Sequence, residues 1–253
     1  MALEVVDYLQ GSFSLIFVII SVIIGITILS KYSEHKNRLL ILVGISWIGV
    51  ANPWMPDSIS FLMLLIAQIP LNTGWYFIIG NCFIPIALLC WLTAYTDMIR
   101  KKSQKKVIIV TLILSIIFEI IFFSLFFINL DLIGTIDPIS RPFTANFGIF
   151  ITIYLMIVIV VMSVTGVIFA QKSVKSENRE IRLKGKLLRA AFITFTIAAV
   201  LDSLLGTIFE DPTDPLLAVM VVIVRILLIF SALEFYGGFL LPRWMKEIFI
   251  RKL

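Results

Sequence analysis

The residues from Pro215 to Leu241 form an almost unbroken apolar stretch, 27 residues long. About 20 such residues are enough for a helix to cross a bilayer. This stretch carries Arg225 near its centre and Glu234 further along. A charged side chain at membrane depth is costly, so it usually faces a bundle interior and pairs with another group there. The chain must therefore fold as a bundle that supplies a partner for Arg225.

The composition predicts an all-α polytopic membrane protein. Hydrophobic residues make up 60% of the 253 positions, and the mean hydropathy is +1.07. Soluble domains are about 45–50% apolar. We expect one domain over residues 1–253, a seven-transmembrane-helix bundle with spans at about 12–30, 39–51, 75–99, 107–128, 147–171, 187–209 and 215–241.

The segment after the second span is predicted to stay on one side of the membrane. Proline breaks the hydrogen-bond ladder of a helix, so helix 2 is expected to end at Asn52–Pro53. The apolar run that follows, Ile59–Ile69, is too short to span alone. We expect it to form a short non-spanning helix over the outer mouth of the bundle.

Charge predicts the orientation. Loops on the cytoplasmic side carry an excess of Lys and Arg. With seven spans, 19 of the 21 Lys and Arg residues fall on one side, Arg141 falls on the other, and Arg225 lies in the membrane. The opposite side holds eight of the 16 acids, including Asp57. We expect N-out/C-in topology in the cytoplasmic membrane.

Five polar residues are candidates for an intramembrane polar site. They are Arg225, Asp202, Glu119, Asn81 and Glu234. A short link joins helices 6 and 7, so Asp202 is the first choice as partner of Arg225, and Glu119 on helix 4 is the second. Such charges can be structural ion pairs that fix helix registry, or they can line a ligand pocket or form a proton-sensitive switch. Both interpretations stay open.

Asn81 lies four residues before Pro85, which removes a backbone donor and frees the Asn81 carbonyl. The kink either lines a pocket or is capped by neighbouring side chains.

Aromatic residues are predicted to anchor and pack the bundle. Trp54, Trp75 and Tyr76 are expected near the outer interface, where aromatic belts form. Trp47 and Trp91 lie deeper and are expected to pack in the core.

Several function classes lack support in the sequence. Light-driven seven-helix pigments attach retinal to a lysine of their last helix, and this helix has none. The chain has no nucleophile-elbow, zinc-protease or phosphate-loop motif. One His and two Cys make no usual zinc site. We therefore expect no enzyme activity, no cofactor and no metal. The net charge of +5 lies in membrane-flanking loops, so nucleic acid is not an expected partner.

Three segments resemble a known family. They are WYFIIGNCFIPIALLCWLTAYTDMIRKKSQKK in helix 3, SVKSENREIRLKGKLLRAAF before helix 6 and EFYGGFLLPRWMKEIF at the end of helix 7. Together with Trp47 they resemble the seven-transmembrane sensor modules at the N-terminus of archaeal and bacterial histidine kinases. The resemblance implies a receptor-like module. Kinase activity does not carry over, because these residues include no ATP-binding or phosphoacceptor region.

The sequence therefore favours a sensor that detects a small ligand or membrane state and signals at the cytoplasmic face. A small-solute or proton-coupled transporter or channel is one alternative, and a self-assembling structural membrane protein is another. Anionic lipid headgroups are expected partners of the basic loops around Lys105 and Lys184, since each basic residue near a membrane contributes about 1 kcal/mol. A cytoplasmic signalling partner or a homo-oligomer is also expected.

Overall fold

The structure is a computed structural model that describes residues 3–137, 141–209 and 214–249. Within these ranges, seven helical segments are long and apolar enough to cross a membrane, as expected of a multi-pass membrane protein. The helices are α1 (Val5–Ser30), α2 (Tyr32–His35), α3 (Arg38–Val50), α4 (Met55–Ala67), α5 (Thr73–Asn81), α6 (Ile84–Ile99), α7 (Gln104–Ile128), α8 (Ile149–Val174), α9 (Arg179–Ile208), α10 (Pro215–Leu240) and α11 (Arg243–Phe249). The candidate spans are α1, α3 with α4, α5 with α6, α7, α8, α9 and α10, and they are called the spans below.

Capping side chains fix where the last two spans begin. The Asn178 side chain accepts hydrogen bonds from the backbone amides of Glu180 and Ile181, so α9 starts eight residues earlier than predicted. Asp214 caps α10 in the same way, and Pro215 occupies its first turn. Such caps satisfy amides that have no partner within the helix.

The second span continues through its prolines, so the prediction of a non-spanning helix at Ile59–Ile69 is wrong. A 3₁₀ turn at Asn52–Trp54 joins α3 directly to α4. Pro53 and Pro56 both fall in the first turn of a helical segment, where the missing N–H is not needed. The helix changes from α to 3₁₀ and back to α here and does not end.

Close glycine contacts show that α3 and α4 both run beside α1. A Cβ on Gly44 of α3 would lie 2.8 Å from the carbonyl oxygen of Gly25 on α1. At the other end, a Cβ on Gly11 of α1 would lie 2.3 Å from the ring of Phe61 on α4. The α4 segment is therefore a wall of the bundle and does not lie across its mouth.

The third span is also broken, and the two breaks are neighbours. Helices α5 and α6 are separated at residues 82–83, and Pro85 lies in the first turn of α6. The side chain of Asn52 donates a hydrogen bond to the carbonyl oxygen of Ile79. The sequence predicted a break near Pro85 and another at Asn52–Pro53, but it did not predict that the two breaks are in contact.

Six spans close into a ring, and the fourth packs outside it. Going round, α1 contacts α10, α10 contacts α9, α9 contacts α8, α8 contacts α6, α6 contacts α3, and α3 contacts α1. Helix α7 packs against α6, and its outward face carries exposed isoleucines such as Ile113 and Ile120. An apolar exterior around a partly polar interior is the arrangement that a lipid environment favours.

The two ends of the bundle differ in charge. We call the end at which α1 begins and α4 meets α5 the acidic end, and the opposite one the basic end. At the acidic end, β1 (Gly134–Ile136) and β2 (Ala145–Phe147) form a short antiparallel hairpin. The all-α prediction did not include this hairpin. At the basic end, Lys246 of α11 pairs with Glu180 of α9 at 2.8 Å.

Candidate functional site

Arg225 lies between two carboxylates from different spans. Its Nη1 donates to Asp202 Oδ1 of α9 at 2.5 Å, and its Nη2 lies 3.6 Å from Asp57 Oδ2 of α4. The Arg225 side chain is only 2% exposed. We call Arg225, Asp57 and Asp202 the charge cluster. The pairing with Asp202 that helix adjacency predicted is present, and a second acid joins it.

Asp57 is held by hydroxyl groups as well as by the guanidinium. The phenol of Tyr76 on α5 donates to Asp57 Oδ1, and the hydroxyl of Ser14 on α1 lies 3.4 Å from Asp57 Oδ2. A buried charge is costly unless it is paired and hydrogen-bonded, so these contacts reduce the cost of burying an acid here. The prediction that placed Asp57 in an outer loop is wrong.

Asp202 is held by an indole. Trp54, in the turn between α3 and α4, donates from Nε1 to Asp202 Oδ2 at 2.7 Å. The Asp202 side chain is 19% exposed, against 5% for the Asp57 side chain. Asp202 is therefore the more accessible acid of the charge cluster. Trp54 and Tyr76 are both buried, and each donates a hydrogen bond to an aspartate, so their predicted role as interface anchors is wrong. Trp75, by contrast, is exposed.

The charge cluster borders a cavity of about 350 Å³ in the acidic half of the bundle. All three of its members line this cavity, as do Trp54 and Tyr76. The segment around β2 forms part of the wall at the acidic end. It is tied to α1 by Gln10, whose Nε2 donates to the carbonyl oxygen of Phe143 at 2.6 Å. This cavity lies within the roughly 300–1,000 Å³ range of small-molecule sites.

A layer of aromatic rings lies between this cavity and the basic end. We call Trp47, Trp91, Phe192, Phe195 and Phe235 the aromatic tier. Trp47 stacks on Phe235 with ring centroids 3.8 Å apart, and Trp91 donates to the Thr165 hydroxyl at 2.7 Å. A void among these rings measures only about 10 Å³. The predicted packing role of Trp47 and Trp91 is confirmed.

The other predicted site residues lie elsewhere. Glu119 is on α7, outside the ring of six spans, and lies near Cys82 and Tyr154. Glu234 follows Arg225 by nine residues, which is about 13 Å along a helix, and its carboxylate is close to Thr194. Neither residue lines the cavity.

Asn81 is buried at the helix break. Its Nδ2 donates to the carbonyl oxygen of Phe77 at 2.9 Å, and its Oδ1 has no hydrogen-bond partner among the described residues. It does not border the cavity. The capped-kink interpretation therefore fits Asn81 better than the pocket interpretation.

Sequence reasoning did not include four residues in the site: Asp57, Trp54, Tyr76 and Ser14. Asp57 could have been found by comparing its depth along its helix with that of Arg225. Asp57 lies ten residues before the end of α4, and Arg225 lies ten residues after the start of α10. At 1.5 Å per residue both are about 15 Å from the acidic end. The signal appears only when helix 2 is extended through Pro53 and Pro56.

The fold and site define a helical bundle with seven candidate membrane spans and a buried charge cluster beside a small cavity. Comparison with protein-family models and with curated proteins found no match to this chain. The resemblance to kinase sensor modules therefore stays a prediction.

Proposed function

We propose that this protein is a receptor-like membrane sensor that binds a small ligand in the cavity beside the charge cluster. The observation that carries the proposal is the lining of that cavity. The charge cluster and further polar side chains such as Asn146 border it, apolar side chains supply most of its surface, and the aromatic tier lies between it and the basic end. A concave, mostly apolar pocket with a few placed polar groups is the usual form of a ligand site.

The charge cluster gives such a ligand a route to the rest of the bundle. It joins α4, α9 and α10, and the hydrogen bonds of Ser14 and Tyr76 add α1 and α5. A ligand that contacts Asp202 alters a network shared by five of the seven spans. A ligand shifts an equilibrium only through different contacts in two states, and this network supplies contacts that can differ.

The proposed orientation places the acidic end outside the cell and the basic end in the cytoplasm. It rests on the 17 Lys and Arg residues at the basic end among those that the structure describes and on the rule that such residues stay on the cytoplasmic side. The cytoplasmic membrane is the proposed location. The signal would then reach a partner at the cytoplasmic face through α6, α9 and α10.

A transporter is the second candidate, and the adjacent helix breaks favour it. Discontinuous helices beside buried polar groups are a feature of many secondary transporters, and here two of them meet through Asn52 and Ile79. The aromatic tier argues for the sensor, because a transporter needs a state in which the cavity opens to the basic end.

A compound screen followed by two functional assays tests the sensor proposal. Thermal unfolding in detergent should find compounds that stabilise the wild type but not Ala199→Trp, which fills the cavity. Ile197→Trp is the matched control, because Ile197 is exposed on the same helix and its replacement should leave binding intact. A library without one such compound would contradict the proposal.

The compound found should then move the basic end without being transported. Spin labels at Lys102→Cys and Glu177→Cys, in a chain with both native cysteines replaced, should report a changed distance in nanodiscs. Uptake into proteoliposomes should stay at the level of empty vesicles. Uptake above that level would favour the transporter.

A further inference from the structure

We infer that the cavity takes a small organic cation, an amine attached to an apolar or aromatic group, with its ammonium bound by Asp202. This inference rests on the proposed function, since it names the ligand class of the same cavity. Three observations carry it: the exposure of the Asp202 side chain, the excess of acids over cations in the charge cluster, and the aromatic rings beside Asp202.

Asp202 is the member of the charge cluster that a ligand can reach. Arg225 and Asp57 are 2% and 5% exposed, and Asp57 already has three partners, Tyr76, Ser14 and Arg225. Asp202 accepts one hydrogen bond from Arg225 and one from Trp54. A carboxylate has about four lone-pair positions, so acceptor capacity remains on its exposed side.

The formal charge of the cluster calls for a further cation. Two acids face a single guanidinium, which leaves one formal negative charge when both acids are ionised. Arg141 also lines the cavity, but it donates to the carbonyl oxygen of Phe209 at 3.4 Å and lies within electrostatic range of Asp7.

The acidic half of the bundle also carries an excess of negatively charged residues. Its described residues include only Arg141 and Arg225 as cations, against the acids Glu4, Asp7, Asp57, Glu119, Asp131, Asp137, Asp202 and Asp214. The cavity itself is lined by two acids and two arginines, so this excess of acids acts on the approach of a ligand. An excess of one sign of charge raises the local concentration of ligands of the opposite sign.

Aromatic rings beside Asp202 suit the rest of such a ligand. Trp54 binds the carboxylate, and its ring packs edge-on against Phe195 with centroids 6.0 Å apart. Ring faces attract cations, and tryptophan does so most strongly. The same rings give an apolar surface for an aromatic or aliphatic group.

Three probes of similar shape test the ligand class. They are 2-phenylethylamine, the neutral 2-phenylethanol and the anionic 3-phenylpropanoate. Titrations followed by NMR in detergent should give a dissociation constant for each, with Ala199→Trp as the correction for partition into micelles. The amine should bind wild type at least about tenfold tighter than the alcohol, a difference of 1.4 kcal/mol. The carboxylate should bind weakest.

Two variants assign the preference to Asp202. Asp202→Asn should bring the amine and the alcohol to similar affinity. Glu119→Gln, which removes an intramembrane carboxyl outside the cavity, should keep the preference. If Asp202→Asn does not fold, Asp57→Asn removes the same formal charge and should also weaken the preference.

Failure of this inference is distinct from failure of the receptor proposal. Equal binding of amine and alcohol, or tighter binding of the carboxylate, would overturn the cation assignment while the cavity remains a ligand site. Three probes that bind wild type no better than Ala199→Trp would also overturn it. The receptor proposal fails separately, when the wider screen finds no compound at all.

Discussion

Asp57 and Arg225 lie 3.6 Å apart between Oδ2 and Nη2, although a hairpin and four spans separate them along the chain. The contact depends on α4 continuing the second span. Each residue is about 15 Å from the acidic end, so the two side chains meet at one depth. The relationship therefore links the course of helix 2 to the charge cluster.

Trp54→Phe should destabilise the protein and free Asp202. The change keeps an aromatic ring but removes the indole donor that lies 2.7 Å from Asp202 Oδ2. A hydrogen bond to a charged group contributes about 1.5–3 kcal/mol, so a loss of that order is expected in thermal unfolding. Trp75→Phe is the control, because Trp75 is exposed. Equal losses in the two variants would contradict the role of Trp54.

Gly44→Leu should disrupt the contact between the first two spans. A Cβ at Gly44 would lie 2.8 Å from a backbone oxygen of α1, which cannot move aside as a side chain can. Overpacking of this kind costs about 1–3 kcal/mol, and it should appear as a lower unfolding temperature.

Gly80→Ala is the matched control for that substitution. Its Cβ would lie 3.4 Å from Pro56, which is ordinary contact. If Gly44→Leu were as stable as Gly80→Ala, the second span would not run against α1 as described.

Labelling of cysteines introduced at the two ends of the bundle should test the orientation in the membrane. In a chain with the native cysteines replaced, Lys102→Cys at the basic end should react with a membrane-impermeant maleimide only after the cells are opened. Thr135→Cys on the hairpin is exposed and should react in intact cells. Labelling of Lys102→Cys from outside would reverse the proposed topology.

Retinal should not bind covalently. The last span has no lysine to form a Schiff base. Purified protein mixed with all-trans retinal should therefore show only the spectrum of free retinal after washing. A red-shifted band that survives washing would contradict this expectation.

Hydropathy was sufficient to predict most of the bundle. The last span was predicted as 215–241 and is α10, Pro215–Leu240. It is bounded by a capping aspartate and prolines, both of which are local signals. The pairing of Arg225 with Asp202 followed from the short link between helices 6 and 7, which makes them neighbours.

The rest of the site depended on long-range packing. Pro53 has the same local signature whether it ends a helix or begins a new turn, and only the contact of α4 with α1 decides between the two. That choice places Asp57 and Trp54 in the interior. Tyr76 resembled an interface aromatic because its partner, Asp57, was assigned to a loop.

The most direct test of the charge cluster is a set of variants compared by thermal unfolding in one detergent. Arg225→Leu leaves two carboxylates without their cation, and breaking a buried pair costs about 3–5 kcal/mol. Adding Asp202→Leu should recover only part of that loss, because Asp57 remains buried. The triple variant with Asp57→Leu should recover most of it. Recovery that is complete in the double variant, or absent in the triple one, would contradict a cluster of three charges around Arg225.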